Sequence, residues 1–207
     1  MPAGDGKRPS AKSRAGRGAT RRFFIDCARP LFADFGYASV SIEQIAEKAG
    51  VPRSKLTRAF ADKADLLRAI GEEWLAGLFP ETAAPDHTPI DVVNQLLGFS
   101  DRFARFLKVD TATARIIISG LAENVEDEEA VILHELLEQA IERLQPIIVE
   151  GQQSGVIRRD IDPRQTAGDW LRFFLGAALL PLGEVKEGDI NTLPIETLLH
   201  GVLKTDV

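Results

Sequence analysis

A single cysteine, Cys27, leaves no internal disulfide framework to brace a small scaffold. The histidines His87, His134 and His200 are scattered, so nothing stands at metal-ligand spacing, and no zinc site or metal cofactor is expected. No apolar run reaches the roughly eighteen residues of a membrane span. The best stretches, around Ile116 to Ile118 and Phe173 to Leu182, are short or interrupted. Also missing are a G-x-S-x-G elbow, a P-loop, a G-x-G-x-x-G turn and a zinc signature, which removes the main motif-based grounds for an enzyme or a bound cofactor. Alternation of Val, Ile, Thr or aromatics between turn signals is absent as well, and this argues against strands.

What is present is enough apolar sequence for a core: 44% of the 207 residues are hydrophobic and 27% charged. Such a chain folds as one compact domain, or as a small head on a larger body. The net charge of −6 conceals a strong asymmetry. Residues 1–70 hold 14 Lys and Arg against 7 Asp and Glu, whereas residues 71–207 hold 11 against 24. A basic head is drawn to polyanions, and an acidic body is kept off them.

Residues 1–19 carry Gly, Ala, Ser, Pro and basic side chains without large apolar groups, and are expected to form a disordered basic tail, solvated or touching DNA as an arm. They lack the apolar segment of a secretory signal and the apolar half of a transit helix, so a cytoplasmic location is expected. From Thr20 the apolar period is helical almost throughout, which predicts an all-α chain of about nine helices. The first runs from Thr20 to Phe35, with Phe24, Ala28, Leu31, Phe32 and Phe35 inward, a kink at Pro30 and a left-handed stop at Gly36. The second follows Ser41 and ends at Gly50, and the third runs from Pro52 to near Phe60. The fourth starts at Asp62 with Asp65 in the place of a capping box. Pro80, Pro85 and Pro89 then mark a junction. Further helices are expected from Thr88-Pro89 to about Lys108, from Asp110 to about Glu123, from Glu126–Glu129 to Gly151 or Gly155 with a bend at Pro146, from Asp162-Pro163, and from Thr192 to Lys204.

Residues 41–60, SIEQIAEKAGVPRSKLTRAF, have the grammar of a helix-turn-helix. Two short helices crossing steeply need a small residue at the crossing (Ala46), a glycine in the turn (Gly50) and apolar locks (Ile45, Val51, Leu56). Once Leu56 and Phe60 turn inward, Arg53, Ser54, Lys55, Thr57 and Arg58 are left facing out. Arg and Lys take guanine edges or phosphates, and Ser and Thr take either, so this face suits double-stranded DNA.

The ordered set Ile25, Ala28, Leu31-Phe32, Gly36-Tyr37, Ser41-Ile42, Ile45-Ala46, Ala49-Gly50-Val51, Leu56, Phe60, Lys63 and Leu66-Leu67 resembles the N-terminal domain of the tetracycline-repressor (TetR) family of bacterial transcription regulators. Thr57 and Ala59 stand where that family usually has a tyrosine and a histidine or tyrosine. The resemblance implies a three-helix DNA-binding domain over residues 20–66, followed by a ligand-binding and dimerisation domain over residues 67–207. It further implies phosphate contacts from Ser41 and Lys63, and a homodimer that binds a palindromic operator and is released by a small molecule, most simply as a repressor. A helical interaction adaptor without sequence-specific DNA binding is the alternative.

In the body, Leu171, Phe174, Leu175 and Ala178 form one stripe, and Trp170, Phe173, Ala177 and Leu180 another. Apolar surface around most of a helix calls for a second covering surface, and a symmetry-related chain supplies one; the alternative is that this helix is the centre of a monomeric body. Phe99, Phe103 and Phe106 form an aromatic stripe that, with Ile117 and Leu121 on the next helix, suits either plain core or a ligand cavity. His134, with Glu138 one turn on, is the candidate polar anchor. The body has no basic cluster, which favours an apolar or cationic effector over a phosphorylated one. Cys27 sits beside core positions of the first helix and reads as packing.

Overall fold

A computed structural model of the chain describes residues 11–80, 89–121, 127–179 and 201–203, with side chains over 20–80, 90–121, 127–176 and 201–203. The elements are α1 (Ala11–Phe35), α2 (Ile42–Lys48), α3 (Arg53–Leu56), α4 (Lys63–Leu78), α5 (Pro89–Val109), α6 (Thr111–Leu121), α7 (Glu128–Ser154) and α8 (Pro163–Leu179). The architecture is all-α, and among the described residues the only β pairing is an isolated bridge between Ile157 and Leu203. No helix of the described residues is long and apolar enough to cross a membrane. The expected last helix, 192–204, lies outside the described residues apart from 201–203.

The chain divides into two compact units, Met1–Ile70 and Gly71–Val207, a few residues beyond the expected boundary at 66. In the first, α1 packs on α2 and α2 on α3. Its core holds Phe24, Phe32, Tyr37, Ile45, Leu56 and Phe60, all nearly inaccessible to solvent. Two expectations need correcting here. α1 begins at Ala11 rather than Thr20, so residues 11–19 are helical instead of a loose tail; Ala, Lys and Arg are good helix formers and extend a helix already nucleated by its buried part. Phe35 is 66% exposed instead of inward. The chain turns at Gly36 (φ +77°), and Tyr37 takes the place against Phe32 with ring centroids 5.3 Å apart.

In the second unit, α7 packs against α5, α6 and α8. Side-chain caps start the helices as the sequence suggests: Asp110 Oδ1 accepts from Thr113 N (3.1 Å), and Asp162 Oδ1 from Gln165 N (2.7 Å). α7 passes through Pro146 and Gly151 and ends at Gly155. Gly151 does not end it because its missing Cβ makes room for Ile157, whose Cδ1 would lie 2.5 Å from that atom. Gln152 Nε2 then donates to Arg158 O (3.0 Å) and Ile161 O (2.9 Å), holding the link into α8.

Candidate nucleic-acid interface

The α2–α3 pair is built by short-range hydrogen bonds. Ser41 Oγ accepts from Gln44 N (3.2 Å) while Gln44 Oε1 accepts from Ser41 N (2.8 Å), a reciprocal capping box that fixes where α2 starts. The S-x-x-Q spacing was the sequence signal for this box. α2 ends in a Schellman turn: Val51 N donates to Ala46 O (3.0 Å) and Gly50 N to Glu47 O (2.9 Å). Gly50 sits at φ +64°, a conformation costly for residues with a Cβ. Pro52 (φ −60°) is the N-cap of α3 rather than its first helical residue.

α3 is shorter than the span to Phe60 that the pattern suggests. Ala59 N and Phe60 N both donate to Leu56 O (2.9 and 3.0 Å), so the ladder tightens and the α-helix closes at Leu56. Leu56 and Phe60 are buried, which leaves Arg53, Ser54, Lys55, Thr57 and Arg58 exposed together on the outer side. These are the residues expected to face DNA, with Arg53, Ser54, Lys55 and Arg58 the expected base readers, and all five are exposed.

The five are not equally available. Arg53 Nε lies 3.1 Å from Glu43 Oε1 on α2, so a phosphate or base must compete with that carboxylate. Thr57 Oγ1 donates to Arg53 O (3.3 Å) and is occupied locally. Lys55 and Arg58 form no ion pair among the described residues. Ser41, expected as a phosphate contact, is half-buried and engaged in the cap. Lys63, the other expected phosphate contact, donates through Nζ to Tyr37 O (2.7 Å) and lies 4.1 Å from the centroid of the Tyr37 ring. An ammonium has three donors, so this contact orients the group without exhausting it.

A further contributor comes from outside the α2–α3 segment. Arg21 on α1 stacks over the Phe60 ring, 4.0 Å from guanidinium carbon to centroid, and its Nη1 donates to Ala59 O. It thus grips the end of the α3 segment from 38 residues away in sequence. Only the basic character of Arg21 was legible; no local pattern points to such a partner.

Residues 24–70 match the family model described as bacterial regulatory proteins, tetR family. The chain's N-terminal segment therefore carries a TetR-type DNA-binding domain. Among curated relatives, the HTH-type transcriptional activator FasR of Mycolicibacterium smegmatis is 27% identical over 118 residues, 55% of this chain. The matched segment spans about half, 54%, of that relative's length. Among solved structures, SmeT in complex with triclosan superposes with a TM-score of 0.74 at 20% identity, covering 91% of this chain and 93% of SmeT. SmeT is described as the repressor of the Stenotrophomonas maltophilia multidrug efflux pump SmeDEF. The fatty acid degradation regulator FadR from Bacillus halodurans gives a TM-score of 0.66 at 18% identity, covering 96% and 98% of the two chains. At these identities the structural likenesses establish the TetR-type fold.

The expected body residues fall less evenly. Phe99 and Phe103 are fully buried and Phe106 is half-buried. Trp74 of α4 meets Phe103 at 6.4 Å and Phe106 at 5.9 Å, and Phe174 of α8 stacks on Phe103 at 5.1 Å. On α6, Ile117 is buried and Leu121 half-buried. His134 Nδ1 donates to Ala130 O (2.7 Å) on its own helix, and Glu138 pairs with Arg164 on the surface. Neither is a free anchor of the expected kind.

The expected dimer stripe needs correction. Leu171, Phe174 and Leu175 are buried within the single chain, because α7 and α5 already cover that face. Trp170 is buried too, and among the described residues the exposed positions of α8 are Arg164 and Gln165 in its first turn and Asp169, Arg172, Phe173 and Gly176 further along. The Ala178 side chain lies outside the described residues.

Proposed function

We propose that this chain is a DNA-binding transcription regulator that acts as a homodimer in the cytoplasm, lays α3 in the major groove of a palindromic operator and represses until a small molecule binds its helical body. The observation that carries this reading is the exposed row Arg53, Ser54, Lys55, Thr57 and Arg58 on a segment locked from beneath by Leu56 and Phe60. Such a row matches the donor and acceptor pattern of base edges and phosphates, and the net positive head supplies the electrostatic attraction. A two-fold dimer sets two such segments about one DNA turn apart. The outward face of α8, where Phe173 is 43% exposed, is the surface we assign to the partner protomer. Release by an effector follows from linkage: a molecule that favours the protomer arrangement unsuited to DNA weakens DNA binding by the factor by which DNA weakens its own binding.

The test is selection of binding sites from a random duplex library at one fixed salt concentration, since the phosphate contribution varies steeply with salt. Recovery of a palindrome is the expected result. Recovery of no common site from folded protein would overturn the reading in favour of a helical adaptor.

A further inference from the structure

Among the described residues of the body three buried polar atoms lack a hydrogen-bond partner, Trp74 Nε1, Gln95 Nε2 and Thr113 Oγ1, and the first two belong to the helices that carry one aromatic cluster. Trp74 is 5% exposed, yet its indole Nε1 has no hydrogen-bond partner. Gln95 Nε2 is likewise buried and unpaired. Burying a donor without an acceptor carries a penalty, so such groups in a folded chain call for an explanation. Trp74 stands beside Phe103 and Phe106, and Gln95 lies one helical turn before Phe99 on the same α5 stripe. Phe99 and Phe103 are 6.0 Å apart and Phe103 and Phe106 5.9 Å apart, so the rings run continuously between the two donors. Along α5, the register positions of Gln95 and Phe103 are separated by roughly 12 Å. Half-buried Phe106 marks the edge of the cluster that meets solvent.

We infer that this cluster binds an uncharged, largely apolar molecule bearing a hydrogen-bond-accepting oxygen, which pairs with Trp74 Nε1, Gln95 Nε2 or both. The inference rests on the effector reading above and names the chemical class that reading leaves open. The polarity of the unpaired groups decides among classes. The two unpaired atoms, an indole N–H and an amide NH2, only donate, so what satisfies them is a carbonyl, ether or hydroxyl oxygen and not the N–H of an ammonium. A carboxylate loses its hydration among aromatic rings, and two neutral donors do not offset that loss. A neutral acceptor avoids the desolvation of a charge, satisfies the donors and buries its apolar body against the rings.

The experiment titrates the full chain with three probes of one size: acetophenone, ethylbenzene and 1-phenylethylammonium, followed by ligand-observed NMR. Acetophenone is expected to bind about fivefold more tightly than ethylbenzene, the ratio one net hydrogen bond gives, and the ammonium probe least. Trp74→Phe keeps a ring but removes the N–H, and Gln95→Met keeps the shape but removes the amide. At least one of them is expected to abolish the acetophenone preference while leaving ethylbenzene binding unchanged. Equal affinity for all three probes, tightest binding of the ammonium, no binding of any probe, or a preference that survives both substitutions would overturn the inference. The same probes are then tested for release of the selected duplex. Preferential acetophenone binding without release removes the effector reading and leaves the ligand class standing, whereas release by ethylbenzene or the ammonium probe alone does the reverse.

Discussion

Replacing Arg21 by lysine isolates geometry from charge at the end of the recognition segment. Arginine at this position lays a planar guanidinium over Phe60, 4.0 Å from the ring centroid, and donates to Ala59 O. Lysine keeps the positive charge but has neither the plane nor the fork to make both contacts. The lost hydrogen bond is worth about 0.5 to 1.5 kcal/mol, and the ring contact of a half-exposed cation about 0.5 to 1 kcal/mol. Lysine recovers part of each, so the net loss is about 1 to 2 kcal/mol, concentrated where the chain closes on Leu56 O. Amide exchange at Ala59 and Phe60 reads this locally, because both N–H groups donate to that carbonyl. Protection is expected to fall about 5- to 30-fold, the equivalent of 1 to 2 kcal/mol of local opening. Since the charge is retained, DNA affinity is expected to drop at every salt concentration with an unchanged salt slope. Unchanged protection at both amides would refute the argument, and an altered slope would show that Arg21 meets phosphate directly.

Lys55→Ala is expected to relax base preference at one position of each half-site by about 1 to 3 kcal/mol; an unaltered selected motif would remove Lys55 from base reading. Lys63→Ala is expected to weaken all duplexes alike and reduce the salt slope by about one, and loss confined to one sequence would contradict a phosphate role. Glu43→Gln frees Arg53 from its 3.1 Å pair, and tighter DNA binding is expected, by no more than about 1 kcal/mol for so exposed a pair. Weaker binding would mean that Glu43 positions Arg53 for DNA. The hydrogen bond from Arg158 pulls the Asp160 carboxyl from 3.8 down to about 2. A depressed carboxyl adds stability that is complete above its ordinary range and fades as pH falls from about 4 towards 2. Acid-unfolding curves of the wild type and Asp160→Asn should therefore differ at neutral pH and converge near pH 2; a constant gap would reject this.

Most of the frame was readable from local chemistry. Gly36 and Gly155 mark left-handed stops, and Asp110 and Asp162 cap the helices that follow them, because each signal acts within a turn of its own residue. Periodicity also separated Leu56 and Phe60 from the exposed row of the recognition segment. Sequence pattern fails where the question is what covers a face. The Leu171–Phe174–Leu175 stripe reads in sequence as a dimer face, but Phe103 of the same chain lies against Phe174. A periodic stripe reports that something apolar covers it and carries no label for which chain supplies the cover. The home partners of Arg21 and Lys63 join segments far apart along the chain, so composition marked these residues as cations without revealing how they are held.

The Schellman turn and the closing turns of α3 have a consequence for how binding preference can change. The amides of Gly50, Val51, Lys55, Thr57, Ala59 and Phe60 are all bonded to carbonyls within the segment, and the apolar locks lie beneath it. The scaffold therefore holds its shape without help from Ser54, Lys55 or Arg58. Those positions can be exchanged by point substitution while the backbone path stays the same. The recognition segment works as a socket with interchangeable pins, and a new operator can be reached by changing side chains one at a time without passing through an unfolded head.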